Sequence, residues 1–173
     1  MLNIIAGTLS VGVTPSTTSY ESIATVSVGS GGSSSIAFSS IPSTYTHLQL
    51  RIFFKNPVLI NMTLNSTNAT KGHYIYADGS IVAAGGSGTN YIATSSSSQF
   101  GSGVVDIIDY TNTNKLVTVR TLAGYDNNGS GELSFNSELY NLSSTAVNAI
   151  TLTPQSGVFA EYSQFALYGI KGS

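Results

Sequence analysis

The sequence predicts an all-β protein, an antiparallel two-sheet β-sandwich of jelly-roll or related Greek-key type. Three observations support this fold class. Helical periodicity is almost absent, whereas apolar and polar residues alternate with period two in many places. The alternating runs are short and are separated by Gly, Ser, Asn and Pro. Parallel strands need long crossovers, usually helical, and the sequence predicts none, so the strands are expected to be antiparallel.

Residues 1–19 lack a strand pattern, and we expect them to form an extended N-terminal arm before a single sandwich domain over residues 20–173. The arm begins with a short apolar run without a basic region, which is not typical of a signal peptide. Tyr20–Val28 is predicted as the first strand, and Ile36 and Phe38 belong to the next one. The glycine-rich stretch between them predicts a hairpin with a flexible connection.

The clearest strand is His47–Phe54. Its even-numbered residues, from Leu48 to Phe54, are apolar and share one face, whereas His47, Gln49 and Arg51 share the other. Because successive side chains of a strand point to opposite faces, the pattern predicts a half-buried strand. Phe53 is the exception, since it is a large apolar residue on the polar face.

Six further strands follow, which gives about nine in total. They are predicted at His73–Asp78, Val104–Tyr110, Lys115–Ala123, Leu133–Tyr140, Val147–Thr153 and Tyr162–Ile170. Asn128-Gly129 and Asp78-Gly79 predict tight turns, because these residue types tolerate positive φ. Residues 79–103 show no firm pattern and are expected to form a long irregular loop.

Composition excludes several classes of function. Only 8% of residues are charged, against about 25% in an average soluble domain, and 28 Ser and 19 Thr supply much of the polarity. A nucleic-acid partner is not expected, because the net charge is −2 and no basic run occurs. No apolar stretch approaches the roughly 20 residues of a membrane-spanning helix. The absence of Cys excludes disulfides and thiolate metal sites.

The sequence offers no recognisable catalytic or metal-binding motif, so no enzyme activity, cofactor or metal is expected. His47 and His73 lie in strand patterns and are interpreted as surface or interface residues. Asp106 and Asp109 are three residues apart, which places them on opposite faces of a strand and disfavours a carboxylate pair. A distant pair such as Glu132 with Glu161 stays open.

Two other patterns have both a functional and a structural interpretation. The segment 126–132 resembles a calcium loop, but the twelfth loop position falls on Ser137 instead of the required glutamate, so a hairpin turn is favoured. Tyr74 and Tyr76 share one face of a strand, as do Tyr162 and Tyr168. Such tyrosines could stack on sugars, although sandwich cores and subunit interfaces use them more often.

Two parts of the chain carry a resemblance to a known group. The first runs from Tyr20-Glu21-Ser22-Ile23-Ala24-Thr25-Val26 through Gly29-Ser30-Gly31-Gly32 to Ile41-Pro42-Ser43-Thr44-Tyr45-Thr46-His47-Leu48-Gln49-Leu50-Arg51. The second comprises Ile150-Thr151-Leu152-Thr153-Pro154 and Phe165-Ala166-Leu167-Tyr168-Gly169-Ile170-Lys171-Gly172. Together they resemble the small β-rich virion proteins of tailed bacteriophages, cyanophages among them. The resemblance covers about the first and last thirds of the chain and transfers no active-site residue.

The resemblance implies a protein on the outer surface of a virion. One role is a capsid decoration (cement) protein, often trimeric, that binds across adjacent subunits of the major capsid protein. The alternative is a receptor- or glycan-binding domain of a tail fibre, and a polysaccharide depolymerase is a more distant one. The short chain without a coiled-coil stem favours cement. We expect contacts through Leu2, Ile4 and Ile5 of the arm and through Arg51, Phe53 and Lys55.

Overall fold

A computed structural model describes residues 19–55, 59–87, 91–96 and 98–172. Within these ranges the chain forms twelve β-strands and no helix. The described residues accordingly contain no helix of the length and hydropathy needed to cross a membrane. The strands are β1 (Tyr20–Ser27), β2 (Ile36–Phe38), β3 (His47–Phe54), β4 (Ile60–Leu64), β5 (Ala69–Ala77), β6 (Val82–Ser87), β7 (Tyr91–Ala93), β8 (Gly101–Ile108), β9 (Val117–Asp126), β10 (Gly131–Tyr140), β11 (Ile150–Pro154) and β12 (Gln164–Ile170).

The strands form two sheets in which every pairing is antiparallel. The larger sheet has eight strands in the order β1-β12-β3-β8-β9-β10-β5-β6, and the smaller has four in the order β2-β11-β4-β7. One continuous hydrophobic core includes residues of both sheets. The predicted all-β class and the two antiparallel sheets of a β-sandwich are therefore confirmed.

Each sheet contributes one face to the core. Leu48, Leu50, Ile52 and Phe54 of β3 are buried, as their alternation predicts, and they belong to the same hydrophobic cluster as apolar side chains of β4 and β11. Phe159 and Phe165 pack edge to face with a centroid distance of 4.8 Å, a geometry that aromatic pairs favour. The opposite face of the larger sheet, called the outer face below, carries the alternate residues of the same strands.

Two predictions about connections and loops are wrong, and one strand is missed. β1 and β2 do not form a hairpin, because β1 pairs with β12 in the larger sheet and β2 pairs with β11 in the smaller one. The glycine-rich stretch instead carries the chain between the sheets, with Gly31 and Gly32 at positive φ. Residues 79–103 are not one irregular loop, since they contain β6, β7 and the start of β8. β4 was also not predicted.

The two predicted tight turns are confirmed. Asn128 and Gly129 have φ values of 54° and 101° and connect β9 to β10, as a type I′ turn requires. Gly79 has a φ of 87° and connects β5 to β6. Asp78 supports that second turn, because its Oδ1 accepts hydrogen bonds from the backbone N–H groups of Ser80 and Ile81, both at 2.9 Å.

Two hairpins widen the larger sheet. The first hairpin consists of β5 and β6, and the second consists of β9 and β10. The pairing of β10 with β5 joins them, and together they add four strands beyond β8. In the described part of the chain the smaller sheet has no equivalent strands, and its edge strand β7 lies against β9 and β10. The inner faces of β10, β5 and β6 therefore extend past the smaller sheet. The cleft described below lies beneath this overhang, and most of the exposed apolar side chains described next lie on the outer face of the same two hairpins.

Candidate functional site

The outer face of the larger sheet carries a group of large apolar side chains that are exposed. Among them Val82 is 78% exposed, Leu133 59% and Leu122 53%, which is unusual for residues of this kind. They come from six different strands. We call this group the outer apolar patch: Phe53, Ile75, Val82, Val104, Leu122, Leu133 and Phe135.

Strand register places these residues side by side. In one row across the sheet, Val104 pairs with Leu122, Leu122 with Phe135, and Phe135 with Ile75. In the next row Leu133 pairs with both Gly124 and Ala77, and Phe53 is paired with Ser102. Small residues thus separate the large ones in the second row and leave depressions between them. Directly paired side chains contact each other, so the first row is contiguous, and Phe53, Leu133 and Val82 lie diagonally beside it.

A polar row borders the outer apolar patch. Gln49, Asp106 and Arg120 are consecutive partners on β3, β8 and β9. Gln49 donates a hydrogen bond from Nε2 to Asp106 Oδ1 at 2.9 Å and accepts one from Arg51 Nε at 3.0 Å. The Arg51 guanidinium also lies 4.9 Å from the ring centroid of Tyr168, within the range of a cation–π contact. Asp106 and Arg51 are therefore engaged within the chain through Gln49 and Tyr168.

The structure brings together three of the six predicted contact residues. Arg51 and Phe53 lie on the outer face, and Phe53 stacks on Phe100 with a centroid distance of 4.6 Å and an interplanar angle of 2°. Lys55 follows at the end of β3, with Nζ 5.5 Å from the Phe100 centroid. The other three, Leu2, Ile4 and Ile5, lie outside the described residues. Sequence reasoning missed the rest of the outer apolar patch.

A second candidate site is a cleft of about 430 Å³ on the inner side of the overhang. The cleft lies between β5 and β10 of the larger sheet and the β7 edge of the smaller one. Three tyrosine rings, all half-buried, contribute to its walls. The lining residues are Leu59, Tyr74, Tyr76, Tyr91, Ala93, Thr94, Glu132, Ser134 and Asn136.

The position of Tyr74 depends on the fact that its neighbour Gly85 has no side chain. Tyr74 pairs with Gly85 of β6, and a Cβ atom at Gly85 would lie 2.6 Å from the Tyr74 hydroxyl and 2.8 Å from Cζ. The tyrosine ring therefore lies over the glycine backbone. Tyr76 is adjacent, with its ring centroid 6.1 Å from that of Tyr74. The two rings form a continuous aromatic surface that is predicted only in part by their alternation in the sequence.

Several polar groups in the cleft have unused hydrogen-bonding capacity. Within the described part of the chain, the side chains of Thr94, Glu132 and Asn136 make no hydrogen bond. Burial raises the pKa of the Glu132 carboxyl, and the nearby charge of Asp78 raises it further. Tyr91 is fixed from outside the cleft, because Gln155 Nε2 donates a hydrogen bond to its hydroxyl at 2.9 Å.

A buried carboxyl lies farther along the inner face of β10. Glu138 is 3% exposed, and burial raises its pKa to about 7, although its hydrogen bond with Tyr140 acts in the opposite direction. The Tyr140 hydroxyl lies 2.8 Å from Glu138 Oε2 and 3.2 Å from the Met62 carbonyl oxygen. One phenol proton cannot serve both acceptors at once. When Glu138 is protonated, it can donate to Tyr140, which frees the phenol proton for Met62.

His47, Asp109 and Lys115 form a small polar cluster away from the cleft. His47 Nδ1 accepts the backbone N–H of Asp109 at 2.9 Å, so its 3.3 Å approach to Asp109 Oδ1 is not an ion pair through that nitrogen. Lys115 pairs with the Asp109 carboxylate, and this hydrogen bond lowers the pKa of Asp109. The described residues contain no cluster of His, Asp or Glu suited to a metal ion. Glu161 does not line the cleft that contains Glu132.

Comparison of the chain with protein-family models, with curated protein sequences and with solved structures finds no match. The resemblance of the first and last strands to phage virion proteins therefore stays a prediction. The two sites have to be interpreted from their own geometry.

Proposed function

We propose that this chain is a non-enzymatic virion protein, a capsid decoration (cement) protein that binds the outside of a phage capsid across adjacent major capsid protein subunits. The observation that carries the proposal is the outer apolar patch. Large exposed apolar patches on a soluble protein mark interaction sites, because their burial against a partner is favourable.

The surroundings of the patch support a protein partner. Phe135 supplies an aromatic side chain near its centre and Phe53 one at its β3 edge, and the polar row of Gln49, Asp106 and Arg120 forms one border. Protein interfaces have this arrangement, with few charges in the middle and polar groups at the rim. The rigid antiparallel sheet also holds the apolar side chains in place before binding. Less conformational entropy is then lost on association.

The order of the strands supports a jelly roll, an architecture that viral capsid proteins use. Without the two hairpins β5–β6 and β9–β10, the sheets are β1-β12-β3-β8 and β2-β11-β4-β7. We interpret these eight strands as the jelly-roll core and the two hairpins as additions. Most of the outer apolar patch lies on the additions. The two hairpins that extend the eight-stranded jelly-roll core therefore also carry most of the surface to which we assign binding.

A homotrimer would strengthen such a contact. Subunits that bind neighbouring sites together dissociate far more slowly than one subunit alone, because rebinding is intramolecular. A threefold arrangement uses heterologous contacts that close into a ring. The sequence is suited to ordered packing, since Ser and Thr are abundant and lose little rotamer entropy when they are fixed.

Cryo-electron microscopy of particles that carry the protein tests this proposal. We expect many copies on the capsid, with the outer face of the larger sheet against the capsid shell. Location at the tail tip in few copies would contradict the proposal and support the fibre alternative. Absence from particles would contradict both virion roles.

Variants of the exposed side chains test the assigned surface. Leu122→Lys and Leu133→Lys should leave the fold intact, because both side chains are more than half exposed, and should abolish most capsid occupancy. Val158→Lys is the matched control, since Val158 is 43% exposed but lies in the loop between β11 and β12. If Leu122→Lys and Leu133→Lys occupy the capsid as fully as Val158→Lys, the outer apolar patch is not the binding surface.

Deletion of residues 1–12 tests the arm in the same assay. Unchanged occupancy of the capsid would show that the arm does not contribute to binding.

A further inference from the structure

We infer that the cleft between β5, β10 and β7 is a binding site for a neutral oligosaccharide of two or three pyranose units. A saccharide could occupy this cleft whether or not the outer apolar patch binds a capsid, because the two sites lie on opposite faces of the larger sheet. The volume of about 430 Å³ falls within the range of small-molecule sites, which is roughly 300–1,000 Å³.

The lining has the two chemical properties that a sugar requires. A pyranose ring presents C–H groups on its faces and hydroxyl groups around its edge. The adjacent rings of Tyr74 and Tyr76 offer an aromatic surface for the C–H face. The Asn136 amide can donate and accept, and the Glu132 carboxylate and the Thr94 hydroxyl can accept, hydrogen bonds from sugar hydroxyls. A purely hydrophobic ligand would leave these groups desolvated without a partner, which is unfavourable.

Charge selects among saccharides. Among the described residues that line the cleft, Glu132 carries the one carboxyl group and no Lys or Arg is present. Asp78 adds a second negative charge close enough to affect the Glu132 carboxyl. An acidic sugar would meet this negative charge without a compensating cation. The cleft therefore favours neutral saccharides over uronic or sialic acids.

Titration of the purified full chain with cellotriose, followed by calorimetry, tests the inference. We expect saturable binding of this neutral trisaccharide and no binding of trigalacturonic acid at the same concentrations. Failure of cellotriose and other neutral trisaccharides to bind at millimolar concentration would overturn the inference. Equal binding of the acidic trisaccharide would also overturn it, because the charge argument would then be wrong.

Two variants locate the site. Tyr76→Ala should weaken cellotriose binding by about tenfold, since it removes one aromatic contact. Gly85→Ala removes no chemical group, but its Cβ would displace the Tyr74 hydroxyphenyl group, so it should weaken binding while thermal unfolding stays close to wild type. Tyr20→Ala, on β1 at the far edge of the sheet, is the control and should bind normally. Wild-type affinity of Gly85→Ala and Tyr76→Ala would exclude this cleft.

Discussion

At the scale of single residues, the most unusual group is a carboxyl that the fold buries without an ion pair. Burial is the main cause of the shift in the pKa of Glu138. Tyr140 is the one titratable side chain that also affects this pKa, and no cation contributes. Burial of a charged carboxylate is unfavourable, so the folded state favours the neutral acid. The unfolded chain has no such restriction, and its glutamate ionises near pH 4.5. Stability is therefore linked to pH through this residue.

Glu138→Gln should flatten the pH dependence of stability above pH 4.5. In the wild type, the contribution of Glu138 is fully present below the unfolded pKa of 4.5 and is lost as pH rises through the folded value of about 7. At 1.36 kcal/mol per pKa unit, the free energy of unfolding falls by up to about 3 kcal/mol across this window. The glutamine variant stays neutral and should be more stable than the wild type near pH 8. Urea denaturation at a series of pH values measures the difference.

The two proteins should have similar stability near pH 4.5, which provides an internal control. Some slope will persist in the variant, because burial also raises the pKa of Glu132. Asp78 and Asp109 act in a different window, since their pKa values are lowered and their contribution is lost as pH falls below about 4. Parallel curves for wild type and Glu138→Gln above pH 4.5 would show that Glu138 is charged in the folded protein.

Residue-scale reasoning from the sequence had a clear limit. The alternation in His47–Phe54 correctly placed Phe53 on the outer face and marked it as unusual. The rest of the patch could not be predicted, because Val104, Leu122 and Phe135 are distant in sequence and become neighbours of one another only through strand register. In the same way, alternation placed Tyr74 and Tyr76 together but could not show which residues of β7 lie opposite them.

At the scale of strands and turns, local signals predicted most elements but not their partners. β3 matches its predicted bounds, and the other predicted strands differ at their ends by a few residues. β6 contains one branched residue, Val82, followed only by Ala, Gly and Ser, so it carries little of the signal that marks strands. β4 does show the signal, with Ile60, Met62 and Leu64 buried in alternation, and was predictable. The pairing of β1 with β12 joins the two ends of the described chain and has no local signature.

Gly129→Ala should destabilise the β9–β10 hairpin, from which much of the outer apolar patch projects. Gly129 has a φ of 101°, a conformation that strains any residue with a side chain, so we expect a loss of about 1–2 kcal/mol. Gly29→Ala is a matched control, because its Cβ would meet nothing within 4 Å and its φ is not positive. The two substitutions reduce unfolded-chain entropy alike, so the difference between them isolates strain in the folded turn. Equal stabilities in urea denaturation would contradict the turn assignment.

At the scale of the whole molecule, the two added hairpins explain why both candidate sites occur in the same region. Each hairpin presents one face outward and one inward. The outer faces of β9, β10, β5 and β6 supply Leu122, Leu133, Phe135, Ile75 and Val82, and the inner faces of β10 and β5 supply the cleft. Because the smaller sheet covers less of the larger one at this end, the inner face stays accessible. One extension of the sheet thus generates two surfaces that can bind different ligands.

The capsid association that we propose for the outer apolar patch should depend little on salt. The net charge of the chain is −2, and Arg51 and Asp106 beside the patch are already engaged by Gln49. Ionic screening weakens contacts between exposed charges, with a Debye length of about 10 Å at 0.1 M and about 3 Å at 1 M, but it does not weaken apolar burial. Occupancy on particles should therefore change little between low and high NaCl and should increase with ammonium sulfate, which strengthens burial. Co-sedimentation of the protein with stripped particles measures this. A steep loss of occupancy with increasing NaCl would contradict this prediction and assign the contact to charged groups. Because only 8% of the residues of this chain are charged, the partner would then have to supply most of those groups.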